Sequence, residues 1–229
     1  MISHKHKCIF IHVPKAAGTS IERVFLEDLD LDMDNRHALL LGASTNISLG
    51  PRRISHLLAR EYVSGHFISQ ELFESYFKFA FVRNPISRIY STYKFLNFDR
   101  YVDFDTFVSK KIDRLSEDKM YGFFMKPAYD YLFDENGKCL VDYIGKFESI
   151  SVDFTNIISN INFFSKNIEL KHYNKLSNKG DSIVKRTLVN MREKLRVQND
   201  PKRLTSSSKD KIFQKYELDF THFNYEYEW

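Results

Sequence analysis

Residues 9–25, IFIHVPKAAGTSIERVF, change character three times in seventeen positions. The apolar, β-branched run KCIFIHV (7–13) reads as a buried central strand of a parallel sheet. A short turn of small residues comes next. TSIERVFLEDL (19–29) then places Ile21, Val24, Phe25 and Asp28 at helical spacing. Thr19 and Glu22 make an S/T-x-x-E capping box, which predicts a helix starting at Thr19. Strand, small-residue turn and helix together have the shape of a phosphate cradle. Gly18 allows a φ that other residues avoid and lets the backbone approach a ligand closely. The amides of Gly18, Thr19 and Ser20 would sit at a helix N-terminus, where the dipole favours an anion. Lys15 adds a movable full charge. It precedes the glycine, so the order is not that of a Walker loop, GxxxxGK[ST]. A tight β–α turn with a solvated lysine is the plainer alternative. The convergence of Lys15, Gly18, Thr19 and Ser20 on one helix end favours an anion site.

A second segment repeats the logic. FKFAFVR (77–83) reads as another buried strand, ending in Arg83. NPISRIYSTYKFL (84–96) opens a helix with Asn84 as N-cap and Pro85 at the first helical position. Ile86, Ile89, Tyr90 and Tyr93 share one face; Arg88 and Ser91 are neighbours three apart on the other. Arginine binds phosphate in a planar fork and serine adds a neutral donor, so Arg83, Ser91 and Arg88 suggest a second phosphate site. The alternative for Arg88 is a partner carboxylate.

Strands and helices alternate along the rest of the chain. EYVSGHF (61–67) is expected as a short strand ending in a Gly-His turn, and SQELFESY (69–76) as a short helix. LVDYIGKFE (140–148) is the third strand and SVDFTNIISNINF (151–163) a helix. DFDTFVSKKI and PAYDYLF read as helical or irregular, and 182–199 and 206–216 as helices, the latter capped by the Ser206–Ser208 cluster. Residues 30–55 form a polar excursion of the kind that is often functional. The expected fold is α/β, one domain over 1–229, with a central parallel sheet flanked by helices. Ligands of such sheets lie at the carboxyl ends of the strands, where both 14–20 and 83–91 fall.

Composition narrows the function. A net charge of +4 fits an anionic ligand but is too weak to argue nucleic acid. Cys8 and Cys139 form no CxxC pair and no metal spacing; they read as buried free thiols in a reducing compartment. No metal-ligand cluster is visible, and no apolar run approaches the roughly 18–20 residues that span a bilayer. MISHKHKC leads directly into the first strand and leaves no room for a signal peptide, so a cytoplasmic location is expected.

HVPKAAGTS and FAFVRNPISRIYSTY resemble the two cofactor signatures of sulfotransferases that use 3′-phosphoadenosine 5′-phosphosulfate (PAPS). They look most like the glycan type, which includes heparan sulfate 2-O- and chondroitin sulfotransferases and bacterial relatives. DYIGKFESI (142–150) and the tail KYELDFTHFNYE (215–226) agree more weakly. The resemblance implies a sheet like that of P-loop kinases. It also implies that the turn from Lys15 through Ala17, Gly18, Thr19 and Ser20 holds the 5′-phosphosulfate. Arg83 and Ser91 would hold the 3′-phosphate, and no metal is used. The acceptor would be a hydroxyl, expected on a glycan. Lys15 could reach the bridging oxygen that gains charge as the S–O bond breaks, stabilising the transition state more than the ground state.

A base for the acceptor hydroxyl is needed as well. His66, in SGHF, matches a Gly-His that glycan sulfotransferases carry before the arginine motif. His56 and His37 are its rivals, and a hydrogen-bonded structural role is the alternative for each. His12 reads as structural. HYNKLSNKG (172–180) resembles a late segment near the nucleotide, with Lys175, Ser177 and Lys179 as candidate contacts. The competing functions are a nucleotide-dependent phosphotransferase of related fold and a non-catalytic nucleotide binder. Against the first, no aspartate pair for Mg²⁺ comes after a strand.

Overall fold

The computed structural model describes residues 1–42, 54–161, 163 and 203–227. In chain order the elements are β1 (Ile2–Ser3), β2 (Cys8–Ile11), α1 (Gly18–Asp28), α2 (Glu61–Ser64), α3 (Gln70–Ser75), β3 (Phe77–Val82), α4 (Pro85–Phe95), α5 (Phe104–Ser116), α6 (Ala128–Leu132), β4 (Tyr143–Lys146), α7 (Ile150–Ser159) and α8 (Ser206–His222). They fall into two units. The first holds described residues within 1–83 and 126–163, and the second those within 84–125 and 203–227.

The first unit is α/β. Its four strands lie in the order β1-β2-β3-β4. β2, β3 and β4 are parallel, with Ile11 opposite Ala80 and Val82 opposite Lys146. All of β2 is buried, and so is β3 apart from Phe77. The sheet is mixed rather than purely parallel, because β1 pairs antiparallel with β2. The connection from Ser3 to Cys8 is too short for a crossover, so a hairpin is the available geometry. Phe10 and Phe79 stack at 5.1 Å, and Phe25 of α1 reaches Phe79 at 6.0 Å, which packs that helix on the sheet.

EYVSGHF does not form the expected strand. Residues Glu61–Ser64 make a helical turn, with the Glu61 carboxylate accepting from the Leu58 amide at 2.8 Å. The Tyr62 hydroxyl donates to the Phe10 carbonyl at 3.2 Å, so Tyr62 is consumed in packing against β2 rather than in a ladder. Cys8 is buried, with its thiol pushed up to about 12 by burial, but Cys139 is exposed, against expectation.

The second unit is helical among its described residues. Ile86, Ile89 and Tyr93 of α4 meet Phe104, Phe107, Val108 and Ile112 of α5, and Ile212, Tyr216 and Phe220 of α8. Asn84 caps α4 by accepting from the Ile86 and Ser87 amides, with Pro85 at its start. α8 is capped by Thr205, one residue before the expected serines, and runs past the expected end at 216. Tyr216 itself is non-helical (φ −120°), so the sequence boundary corresponds to a kink. The 182–199 helix, the 172–180 segment and the centre of the 30–55 excursion lie outside the described residues. No helix among the described residues is long and apolar enough to cross a membrane.

Candidate active site

The turn between β2 and α1 is built on two left-handed residues, Lys15 (φ 66°) and Ala17 (φ 72°). Each such non-glycine residue costs on the order of 1–3 kcal/mol and persists only where surrounding structure enforces it. Backbone of alternating hand turns successive amides toward one concave side, a common anion-binding form. Ala17 is the N-cap of α1 and provides no side-chain cap.

Two expectations for this turn are overturned. The capping box does not form, because Glu22 is turned inward and its Oε1 lies 2.6 Å from His12 Nδ1. Gly18 also does not carry the positive φ. Its requirement is space: a Cβ there would lie 1.8 Å from His12 Nε2. Gly18 and Glu22 are four apart on α1, so one helix face supplies both the gap for the imidazole and its carboxylate partner. We expect Gly18→Ala to destabilise by about 1–3 kcal/mol, the usual cost of overpacking, lowering Tm by roughly 3–10 °C. Removing the imidazole as well, in Gly18→Ala/His12→Ala, should recover part of the loss in a thermal melt. Additive losses would show that the contact is not what excludes alanine.

The amides of Gly18 and Thr19 have no acceptor among the described residues, whereas the Ser20 amide donates to the Ala17 carbonyl at 2.9 Å. Ser20 is also buried.

Lys15 and Arg83 are brought together. Arg83 comes directly after β3, and its Nη1 donates to the Lys15 carbonyl at 3.4 Å. Burial, and then the neighbouring Arg83 cation, push the Lys15 ammonium down to about 8 from an ordinary 10.5. On the other side of Arg83 the Phe147 ring lies 4.2 Å from the guanidinium carbon. Lys15 and Arg83 therefore crowd at the carboxyl ends of β2 and β3, beside the N-terminus of α1. This arrangement suits a multiply charged anion.

Arg88 is not part of an anion site. It is 1% exposed in the core of the second unit. Its Nη2 lies 3.5 Å from Asp219 Oδ2 and its Nη1 donates to the Phe124 carbonyl at 3.4 Å. The local pattern puts Arg88 on a polar face and gives no sign of the carboxylate that α8 brings to it. Ser91 is half-buried on α4.

Of the candidate bases, His56 is joined to the turn. Its Nδ1 donates to the His12 carbonyl at 3.1 Å, and the two rings are 4.3 Å apart. A carbonyl only accepts, so this bond fixes the proton on Nδ1 and leaves Nε2 with its lone pair in the neutral ring. His66 is exposed, in left-handed backbone (φ 58°) after Gly65. Its amide donates to the Val63 carbonyl at 2.9 Å, and no side-chain hydrogen bond ties it to the turn among the described residues. His37 is exposed on the 3₁₀ turn Arg36–Leu39, its ring against Gly42. Lys175, Ser177 and Lys179 lie outside the described residues.

Sequence reasoning missed the His12–Glu22 pair and Phe147. The first was legible in principle, since a histidine ending a strand faces the first turn of the next helix. Ser3, His6 and Asp28 are connected like a hydrolytic triad, through His6 Nδ1 at 2.6 Å and Nε2 at 2.8 Å. Ser3 is fully buried, so no substrate reaches it. No group of three metal-ligating side chains occurs among the described residues.

Residues 1–226 match the sulfotransferase family, and the chain belongs to it. Among curated proteins and among solved structures, nothing matches it significantly. The family covers both units, and the candidate site lies in the part with the α/β sheet.

Proposed function

We propose that this sulfotransferase uses PAPS as donor and a carbohydrate hydroxyl as acceptor. The observation that carries the reading is the meeting of Lys15 and Arg83 beside the amides of Gly18 and Thr19. Two cations held this close repel, and an anion bound between them offsets that cost. The donor set fits PAPS: a strained turn with amide donors for the 5′ end, and an arginine fork for a phosphate monoester. Bound there, PAPS supplies the sulfuryl group. Lys15 holds positive charge where the departing phosphate gains negative charge, and Gly18 and Thr19 orient the nonbridging oxygens. Arg83 takes the 3′-phosphate. His66 accepts the proton of the acceptor hydroxyl, and its exposure suits contact with a bulky acceptor. The carbohydrate class rests on the resemblance of the two motifs to glycan sulfotransferases.

A second reading of the base has its own support. His56 is bonded to the backbone three residues before Lys15 and has its Nε2 lone pair set by that bond. The phosphotransferase alternative is disfavoured by the residues at the strand ends. Arg83 and Asn84 come after β3, and Phe147, Glu148 and Ser149 after β4, with no aspartate pair for Mg²⁺ at either.

Thermal melts with the product 3′-phosphoadenosine 5′-phosphate (PAP), or with ATP and Mg²⁺, test the donor. PAP at a hundred times its Kd should stabilise the protein by about 2.7 kcal/mol. Stabilisation by ATP and Mg²⁺ alone would reverse the reading. Arg83→Ala should weaken PAP tenfold or more, since charge-assisted hydrogen bonds contribute roughly 1.5–3 kcal/mol each. Adenosine 5′-phosphosulfate, which lacks the 3′-phosphate, should be nearly unaffected. Equal weakening of both ligands would remove Arg83 from the 3′-phosphate. Ser91→Ala in the same titration tests the other residue that the resemblance assigns there.

A further inference from the structure

We propose that Phe147 is a positioning residue for the cofactor site, an aromatic platform that orients the Arg83 guanidinium toward its anion. The inference rests on the reading of Arg83 as a phosphate ligand. Val82 and Lys146 are paired in register, so Arg83 and Phe147 are the next residues of adjacent parallel strands, β3 and β4. The guanidinium carbon lies 4.2 Å from the ring centre. Its Nη1 is held from the side of β2 by the Lys15 carbonyl at 3.4 Å. The head is thereby fixed from two directions. A cation over an aromatic face is attracted by the ring quadrupole, while its in-plane N–H donors remain directed outward. Arginine gains most from such preorganisation because its planar fork binds two oxygens only in a correct orientation.

The platform is itself pinned. Phe147 lies on the 3₁₀ turn that joins β4 to α7. That turn is clasped by Asp153, which accepts from the Tyr143 hydroxyl at 2.8 Å, the Lys146 amide at 2.8 Å and Ser149 Oγ at 2.6 Å. Burial alone would raise the Asp153 carboxyl. The hydrogen bonds from Ser149, the Lys146 amide and Tyr143 outweigh it and hold the group below its ordinary range. Gly145 completes the clasp, because a Cβ there would lie 3.0 Å from the Asp153 Cβ and 2.6 Å from the Phe81 ring. A half-buried phenylalanine so tightly held, with one face on a functional arginine, does more than fill space.

The experiment is calorimetric titration of PAP and of adenosine 5′-phosphate into wild type, Phe147→Leu and Phe147→Tyr, each with Arg83 intact and with Arg83→Ala. Leucine keeps the bulk and loses the π-face, whereas tyrosine keeps both. Phe147→Leu should weaken PAP roughly three- to thirty-fold, leave adenosine 5′-phosphate unchanged, and have no further effect once Arg83 is alanine. Phe147→Tyr should bind PAP like wild type, and it keeps the test decisive if the leucine variant folds poorly. The inference is overturned by unchanged PAP affinity in Phe147→Leu, by equal weakening of both ligands, by an undiminished effect without Arg83, or by a tyrosine variant that binds PAP several-fold more weakly than wild type. Wild type that binds no PAP would overturn the cofactor reading and this inference with it. Wild type that binds PAP no better than Phe147→Leu overturns this inference alone.

Discussion

Lys15→Ala is expected to lower single-turnover sulfate transfer at saturating donor by roughly 10²–10³-fold, the loss typical of removing one preorganised transition-state donor. PAP affinity should fall less, because Arg83 remains. Lys15→Arg should rescue poorly, since a wider planar head cannot occupy the position of a compact ammonium. The same residue should act on stability in the opposite direction. In the folded protein its ammonium titrates near 8, against 10.5 ordinarily, owing to burial first and Arg83 second. Between those two pH values the unfolded chain binds the proton that the folded chain has lost, so stability contributed by this group rises with pH across that window. Below pH 8 the charge is present in both states and its desolvation cost is borne in full. Lys15→Met should therefore raise Tm at pH 7 while abolishing rapid transfer. PAP should protect the variant only modestly less than wild type, because Arg83 remains. Near wild-type turnover in Lys15→Ala would remove the lysine from the mechanism, and a lowered Tm in Lys15→Met would show that its charge is not a burden to the fold.

His66→Asn should lower turnover by roughly 10²–10⁴-fold, the range for loss of a general base, with PAP affinity nearly unchanged. Asparagine is the informative replacement because His66 sits at φ 58°. Asparagine tolerates left-handed backbone better than most residues, so the variant should keep the local fold. His56→Asn is the comparison, because His56 is bonded to the His12 carbonyl beside the turn. If the large loss appears in His56→Asn and not in His66→Asn, the base is His56, and His66 is held in its strained backbone for another reason. A loss of PAP affinity in His56→Asn alone would mark that residue as a support of the turn. Measuring kcat and Kd for both variants separates these outcomes.

The parts of the site that are legible in the sequence are those encoded over short spans. KCIFIHV and FKFAFVR are apolar at successive positions, which only strands buried on both faces require, and they form β2 and β3. Asn84 and Pro85 state a helix start in local hydrogen-bonding terms, and α4 begins there. EYVSGHF departs from its expected strand because seven residues carry too little periodicity to choose between strand and helix. The choice went to Glu61 accepting from the Leu58 amide and Tyr62 reaching the Phe10 carbonyl. Glu22 departs from its expected capping role for a related reason. A capping box is a local motif, and a buried imidazole 2.6 Å away competed successfully for the carboxylate.

By itself, then, the sequence determined the three parallel strands β2, β3 and β4, the helix after each, and the presence of Lys15, Gly18 and Arg83 just beyond strand ends, because hydrophobic burial and capping act within a few residues of chain. Tertiary structure alone decided which of those groups meet. Parallel register set Arg83 beside Lys15 and next to Phe147. Packing of α8 gave Arg88 its carboxylate. The His12 ring, and not backbone φ, made position 18 a glycine. Each of these depends on atoms distant in sequence brought within van der Waals or hydrogen-bond range, which no local pattern specifies.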